Sequence, residues 1–351
     1  MGLMLAERWK RFREGRRRRR GLGWTLLRVA RLPAALGLAT LGFWSCTMRM
    51  PGRSYEGPLP PLTDAERGTA ARLRGHVEDL AGPGEHNVDH LDALRRSEEG
   101  LTKKLESLGY AVERQELSAG GAKVANLVVE RRGASPDLVL VGAHYDSAHG
   151  APGADDNASG VAAMLEIARA LSGASLRHTL RFVAFVNEEP PWFQNEGMGS
   201  REHARRCRAR GERIRAMISL ETMGYYRDDA GTQKYPPPMS AFYPSRGNFI
   251  GFVGDVGSRD LVRRVVGAFR RRASFPSEGA ALPAFIPGVG WSDQWSFWQE
   301  GFPGIMVTDT APFRYPYYHT LADTPDKLDY ERLARVTVAL TQVIQEIADD
   351  P

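Results

Sequence analysis

The chain has 351 residues, of which 42% are hydrophobic and 25% charged, a balance that excludes wholesale disorder and a multi-span membrane protein and leaves room for one large α/β core. Its net charge of +5 is unevenly spread: residues 1–31 hold eleven Lys and Arg against Glu7 and Glu14, a local +9 that leaves −4 for the remainder. The basic character belongs to the N-terminal tail, which speaks for a membrane surface and against a nucleic-acid-binding groove, and no nucleic-acid motif occurs elsewhere.

After the basic tail, an uncharged apolar run extends from Leu32 to Trp44. A membrane span wants about 20 apolar residues and a signal-peptide core about 7 to 15, so residues 1–48 read as a basic leader plus a signal peptide or short signal anchor. With the Arg cluster held inside, the domain beyond residue 50 is expected outside the cytoplasm, exported or membrane-anchored through the N-terminal segment. The plainer alternative is a solvated amphipathic helix on a soluble enzyme. Cys46 closes the run and is a candidate for lipidation, although Phe43-Trp44-Ser45 before it fits small-residue processing sites poorly. The other cysteine, Cys207, lies in the basic stretch Arg205 to Arg210, so the mature domain has no disulfide framework.

Residues 49–62 contain Pro51-Gly52 and Pro58-Leu59-Pro60-Pro61 and read as an extended tether; residues 63–351 read as the folded domain, expected to be a monomer. Thr63 to Leu80 and Val88 to Leu108 carry helical periodicity around the turn Gly82-Pro83-Gly84. Apolar runs at 124–129, 137–143, 180–187, 214–220 and 304–308 predict buried strands. Ala158 to Leu171, Gly197 to Arg208, Ser258 to Arg271 and Tyr330 to Ala348 predict helices between and after them. The alternation gives a layered α/β domain whose sheet is mostly parallel. Asp228 to Gly247 has little periodicity and reads as a long surface loop.

The chemistry-bearing residues cluster at the ends of these strands. Gly142-Ala143-His144-Tyr145-Asp146-Ser147 ends a buried strand with His144 and Asp146 facing the same way, so His144 can bind a metal through one ring nitrogen while Asp146 orients the other. Pro152 to Gly160 passes from a turn into a helix and contains Asp155-Asp156, either helix-capping carboxylates or a metal bridge. Asn187-Glu188-Glu189 ends the next strand with two carboxylates on opposite sides, one suited to binding metal and its neighbour to taking a proton from water. Glu221 ends a further strand, and His319 sits in Tyr317-Tyr318-His319-Thr320 before the last helix. Each is a weak signal alone, but open α/β sheets place ligands at the carboxyl ends of their strands.

GAHYDS, PGADDNASG, NEE and YHT, in this order, resemble the co-catalytic dizinc aminopeptidase family, whose relatives include secreted leucyl aminopeptidases, glutamate carboxypeptidases and glutaminyl cyclases. The resemblance runs from about residue 64 to the C-terminus and implies a three-layer, zinc-exopeptidase-like fold with a mixed, mostly parallel sheet flanked by helices. It implies two Zn2+ ions as cofactors and peptides as substrates. One zinc would be held by His144 and Glu221, the other by Glu189 and His319, with Asp156 bridging them. Glu188 would be the general base, Asp146 the support of His144, and Asp156-Asn157 a cis peptide. A substrate α-amine drawn to the site would restrict cleavage to the first residue. Three features depart from the family pattern. Pro190 to Glu196 lengthens the segment before Gly199-Ser200, with Trp192 and Phe193 either lining a pocket or packing on the core. Glu221 stands where relatives often have Asp. Ser292-Asp293-Gln294 has Gln where many have His. The competing readings are a glutaminyl cyclase, which keeps a single zinc, a carboxypeptidase using Arg246 or Arg314, and an inactive binding module.

Overall fold

A computed structural model describes residues 48–350 continuously, together with residues 4, 6–14, 37, 42, 44, 45 and 47. The chain divides into two units, residues 1–49 and residues 50–351. In the first, residues 6–14 are helical; most of the apolar run Leu32 to Trp44, and Cys46, lie outside the described residues. Among the described residues no helix is long and apolar enough to cross a membrane.

In the second unit, Met50 to Leu62 has no helix or strand and is fastened to the domain, with Arg270 donating to the carbonyl of Pro51 and Ser54 Oγ accepting from Ser277 N. Helix α1 (Asp64–Ala81) starts at a capping box in which Thr63 Oγ1 accepts from Glu66 N at 3.2 Å and the Glu66 carboxylate accepts from Thr63 N at 2.7 Å. Helix α2 (Leu91–Ser107) follows, burying Leu94, Leu101 and Leu105. Strands β1 (Glu113–Ala119) and β2 (Ala122–Arg131) form an antiparallel hairpin. Its two-residue turn is Gly120-Gly121, with φ of 56° and 85°, the left-handed pair that a tight hairpin requires.

Strands β3 (Ser135–His144), β4 (His178–Phe185) and β5 (Ile214–Glu221) form the parallel centre of an eight-stranded sheet, completed by β6 (Ile250–Gly254), β7 (Ser277–Ala281) and β8 (Gly304–Thr308) in the order β1-β2-β4-β3-β5-β8-β6-β7. The continuous apolar runs of the centre are explained by burial on both faces. Val139, Val141 and Ala143 enter the larger core under α1, α2, α3 (Gly160–Leu171), α5 (Arg259–Arg272) and α8 (Tyr330–Asp349). Leu138 and Leu140 enter a smaller one with Ala204 and Cys207 of α4 (Gly199–Ala209) and Phe297 of α6 (Gln294–Trp298). The result is the expected three-layer α/β domain. Its sheet is mixed because β1-β2, β2-β4 and β6-β8 pair antiparallel.

Residues 228–247 are irregular, as expected, but they are more than surface: Ala230 bridges to Arg246, and Gln233 and Met239 are buried. Helix α7 (Ala311–Arg314) follows β8. Between β4 and α4, the segment 187–198 is clipped at its stem. Asn126 accepts from Val186 N and donates to the carbonyl of Gly199, while Gly199 N bonds Val186 O at 2.8 Å.

Candidate metal centre

Because β3, β4 and β5 run parallel, their carboxyl ends deliver His144, the Glu188-Glu189 pair and Glu221 to one edge of the sheet. Asp156, from the turn after β3, lies between two histidines. His144 Nε2 is 3.3 Å from its Oδ1, and His319 Nε2 is 3.0 Å from its Oδ2. Glu221 Oε2 lies 3.2 Å from His144 Nε2, and Glu189 Oε2 lies 3.3 Å from His319 Nε2. Glu188 stands further back, 3.9 Å from His144 Nε2. All seven residues singled out in the sequence therefore meet, and Asp156 presents one oxygen to each half.

Local chemistry fixes each group. His144 Nδ1 is within 3.1 Å of the carbonyl of Asp146, while the Asp146 carboxylate is 3.7 Å away. Asp146 thus orients the ring through its backbone carbonyl, the carboxylate accepting instead from Glu188 N at 3.1 Å and Glu189 N at 3.2 Å. One residue sets both the histidine and the glutamate pair. Asp156-Asn157 is a cis peptide, as the resemblance implied. Asn157 Nδ2 donates to the carbonyl of Leu220, tying this turn to β5. Gly160 is required beside it, since a Cβ there would stand 2.3 Å from Asn157 Oδ1 and 2.4 Å from Leu220 O. Ser292 donates to Glu221 at 2.7 Å, and Tyr318 stacks on the His319 ring with centroids 3.9 Å apart.

Supporting residues come largely from the far end of the chain, and of these sequence reasoning missed Asp309 and Asp323. Asp323 accepts from Asp155 N at 2.8 Å, Asp156 N at 3.2 Å and the Tyr315 hydroxyl at 2.7 Å. Asp155 in turn accepts from Gly224 N, and Asp309 from Tyr225 N. Asp293 is fully buried, and neither of its oxygens has a hydrogen-bond partner among the described residues. Burial, with the charges of Glu221 and Asp146, pushes its pKa up to about 7, His144 opposing.

The electrostatics are those of crowded like charges. Burial first, then Glu221, Glu189 and Asp293, holds Glu188 well above the ordinary carboxylate range. Burial and Asp156 push Glu189 up to about 8. Burial disfavours the charged His319 ring, yet Asp156 and Glu189 outweigh it and raise the ring to about 10. Among the described residues, His144 Nε2, Asp156 Oδ1 and Glu189 Oε1 are buried without a hydrogen-bond partner although polar atoms lie around them. Lone pairs that converge without bonding one another are the donor set of a cation, and His144, Asp156, Glu221 on one side and Asp156, Glu189, His319 on the other each gather ligand atoms within 4.8 Å, as do His144, Glu188 and Glu189 between them.

A cavity of about 850 Å³, counting its open mouth, adjoins Glu221 and Tyr318. Trp192 does not contribute to it: the ring packs on the main core, where a Cβ on Gly197 would come within 2.2 Å of it. Arg314 is buried and donates to Gln233 Oε1 and the carbonyls of Tyr225 and Phe249, so it braces the 228–247 segment.

A family model described as Peptidase family M28 matches residues 126–344. The uncharacterized protein YfbL of Escherichia coli (strain K12) is 40% identical over 260 residues, covering 71% of this chain and 79% of that protein. A probable leucine aminopeptidase of Arthroderma otae (strain ATCC MYA-4605 / CBS 113480) is 26% identical over 244 residues, covering 65% of this chain and 58% of the relative, so the chain spans less than two thirds of that relative's length. Among solved structures, Fimbriiglobus ruber glutaminyl cyclase shares the fold with a TM-score of 0.60 and 22% identity, covering 83% of this chain and 97% of that one.

Proposed function

Because the chain belongs to peptidase family M28, we propose that it is a zinc aminopeptidase that removes N-terminal residues from peptides. The observation that carries this reading is Asp156, whose two oxygens face two separate histidine-carboxylate sets. The orphaned buried atoms of His144, Asp156 and Glu189 fit a pair of ions, and a set of imidazole and carboxylate donors suits zinc. His144 and Glu221 would hold one, Glu189 and His319 the other, and Asp156 both. When bound, zinc supplies Lewis acidity that polarises a carbonyl and acidifies water.

The chain's own residues supply the remainder. Glu188, 3.9 Å from His144 Nε2, would take the proton of an attacking water and pass it to the leaving amine. Asp146 holds the backbone of Glu188 and Glu189, so the proton carrier and its neighbouring ligand keep a fixed separation. Tyr318 packs His319 in place. Two complete sets favour this reading over a cyclase with one.

The test is a mass-spectrometric assay of the zinc-loaded protein with peptides bearing free, acetylated or glutaminyl N-termini. Stepwise loss of the first residue from free-amine peptides only is expected. Loss of ammonia from the glutaminyl peptide alone would mean a cyclase instead, and zinc binding without turnover a binding module. The basic leader followed by an apolar run supports placing this activity outside the cytoplasm, on or beyond a membrane.

A further inference from the structure

β5, β8, β6 and β7 lie side by side, and one register row crosses all four: Glu221 pairs with Thr308, Thr308 with Gly251, and Gly251 with Glu278. Residues paired across strands share a face, and at about 4.8 Å per strand the row sets the Glu278 backbone about 14 Å from that of Glu221. All four residues line the cavity beside the candidate metal centre. Midway the floor is bare, since Gly251 offers no side chain and a Cβ there would sit 3.2 Å from Thr308 O. The trough therefore runs from one carboxylate to another over a glycine.

Its far end has the chemistry of a cation acceptor. Tyr235 and Tyr243, stacked with centroids 5.7 Å apart, line the cavity together with Glu278. Each phenol has a single proton and donates it elsewhere, Tyr235 to Pro244 O and Tyr243 to Gly279 O. Arg270 approaches Glu278 at 3.9 Å, but its N–H groups donate to Ser277 and to the carbonyls of Pro51 and Gly52. Ser54 supplies one hydrogen bond. Among the described residues Glu278 is thus a half-buried carboxylate held by one hydrogen bond and one long ion pair, and burial raises its pKa above the usual range despite Arg270 and Ser54. The rest of the lining is largely apolar, with Met239, Phe249 and Ile286 among it.

An apolar stem ending in a cation matches this shape: methylenes over Gly251, charge against the tyrosine faces and the carboxylate. We propose that the cavity selects peptides whose first residue is Lys or Arg, with Glu278 as the specificity-determining residue. The inference takes its substrate class from the aminopeptidase reading, but side-chain recognition needs no turnover.

Two measurements on the full zinc-loaded chain separate the two ideas. The first is kcat/KM for lysyl, arginyl and norleucyl aminoacyl-coumarin amides; the second is calorimetric binding of L-lysinamide and L-norleucinamide. Lysyl and arginyl substrates are expected to exceed norleucyl, which has the stem without the charge, by roughly tenfold or more, with lysinamide binding tighter by a similar factor. Glu278→Gln should collapse both ratios toward one, and Glu278→Lys should invert them. Absence of hydrolysis with lysinamide still bound preferentially would sink the aminopeptidase reading and leave the cation pocket standing. Norleucyl ligands equal to or better than lysyl ones in wild type, or no binding of either amide, would overturn the pocket whatever the variants do.

Discussion

Glu188 and Glu166 are buried carboxylates with opposite fates. Glu188 is held above its ordinary range by burial and like charges, and we propose it as the proton carrier. Glu188→Gln is expected to lower kcat by about 10²- to 10⁴-fold while metal content, read by plasma mass spectrometry, stays near wild type; loss of metal would mean that Glu188 is a ligand. Glu166, between α1 and α3, accepts from Arg72 at 2.9 Å and Arg169 at 2.9 Å with His76 beside it. Burial opposes its ionisation, but His76, Arg169 and Arg72 prevail and draw it down to about 2 from 4.5. A lowered folded-state pKa stabilises the protein above the unfolded value and loses that stabilisation as pH falls through the folded one. Glu166→Gln should therefore cost about 1–3 kcal/mol at pH 7 by urea unfolding, the deficit shrinking below about pH 4.5. A pH-independent deficit would count against the ion pairs as its cause. His144, Glu188, Glu189 and Glu221 could be read from the sequence because strand ends announce themselves by apolar runs that stop at a charge, whereas Asp156 and His319 needed the family resemblance. Asp323 could not, since its partners are amides 167 and 168 residues away and no local pattern marks it.

At the scale of elements, the central strands were legible because burial on both faces leaves a continuous apolar run. The strands away from the centre were not. Glu113–Ala119 is mostly polar, Ile250–Gly254 has five residues with a glycine at two of them, and Ser277–Ala281 has no β-branched or aromatic residue. The signal for the first hairpin was present in Gly120-Gly121 rather than in the strands. Gly121 has nothing near its missing Cβ, so Gly121→Val tests backbone conformation alone. It is expected to lower stability by about 1–2 kcal/mol in chemical denaturation, and a neutral result would mean that the turn is not held in the left-handed region.

For the whole molecule, the sequence conveyed the layering but not the cavity. The cavity depends on β6 running antiparallel to β8, which brings Gly251 and then Glu278 into line with Glu221, and register between distant strands has no signature in a single sequence. The leader belongs to this scale as well. If it works as a membrane element, the full chain should sediment with membranes and resist extraction by salt, whereas residues 50–351 should remain in the supernatant. Release of the full chain by salt alone would indicate electrostatic adsorption of the basic tail without insertion.

The Asn126 clasp joins Val186 to Gly199, and Asp146 fixes Glu188 and Glu189 at the start of the enclosed segment. The stretch Pro190 to Glu196 is therefore bracketed on both sides by bonds that do not depend on its own length. Lengthening such a closed stretch changes its closure entropy only slowly, by about 0.6 kcal/mol per doubling. Apart from Trp192, packed on the core, and Gln194, which donates to the carbonyl of Gly290, residues 190–196 are therefore a place where a designer can graft a recognition loop beside the candidate metal centre without re-registering it.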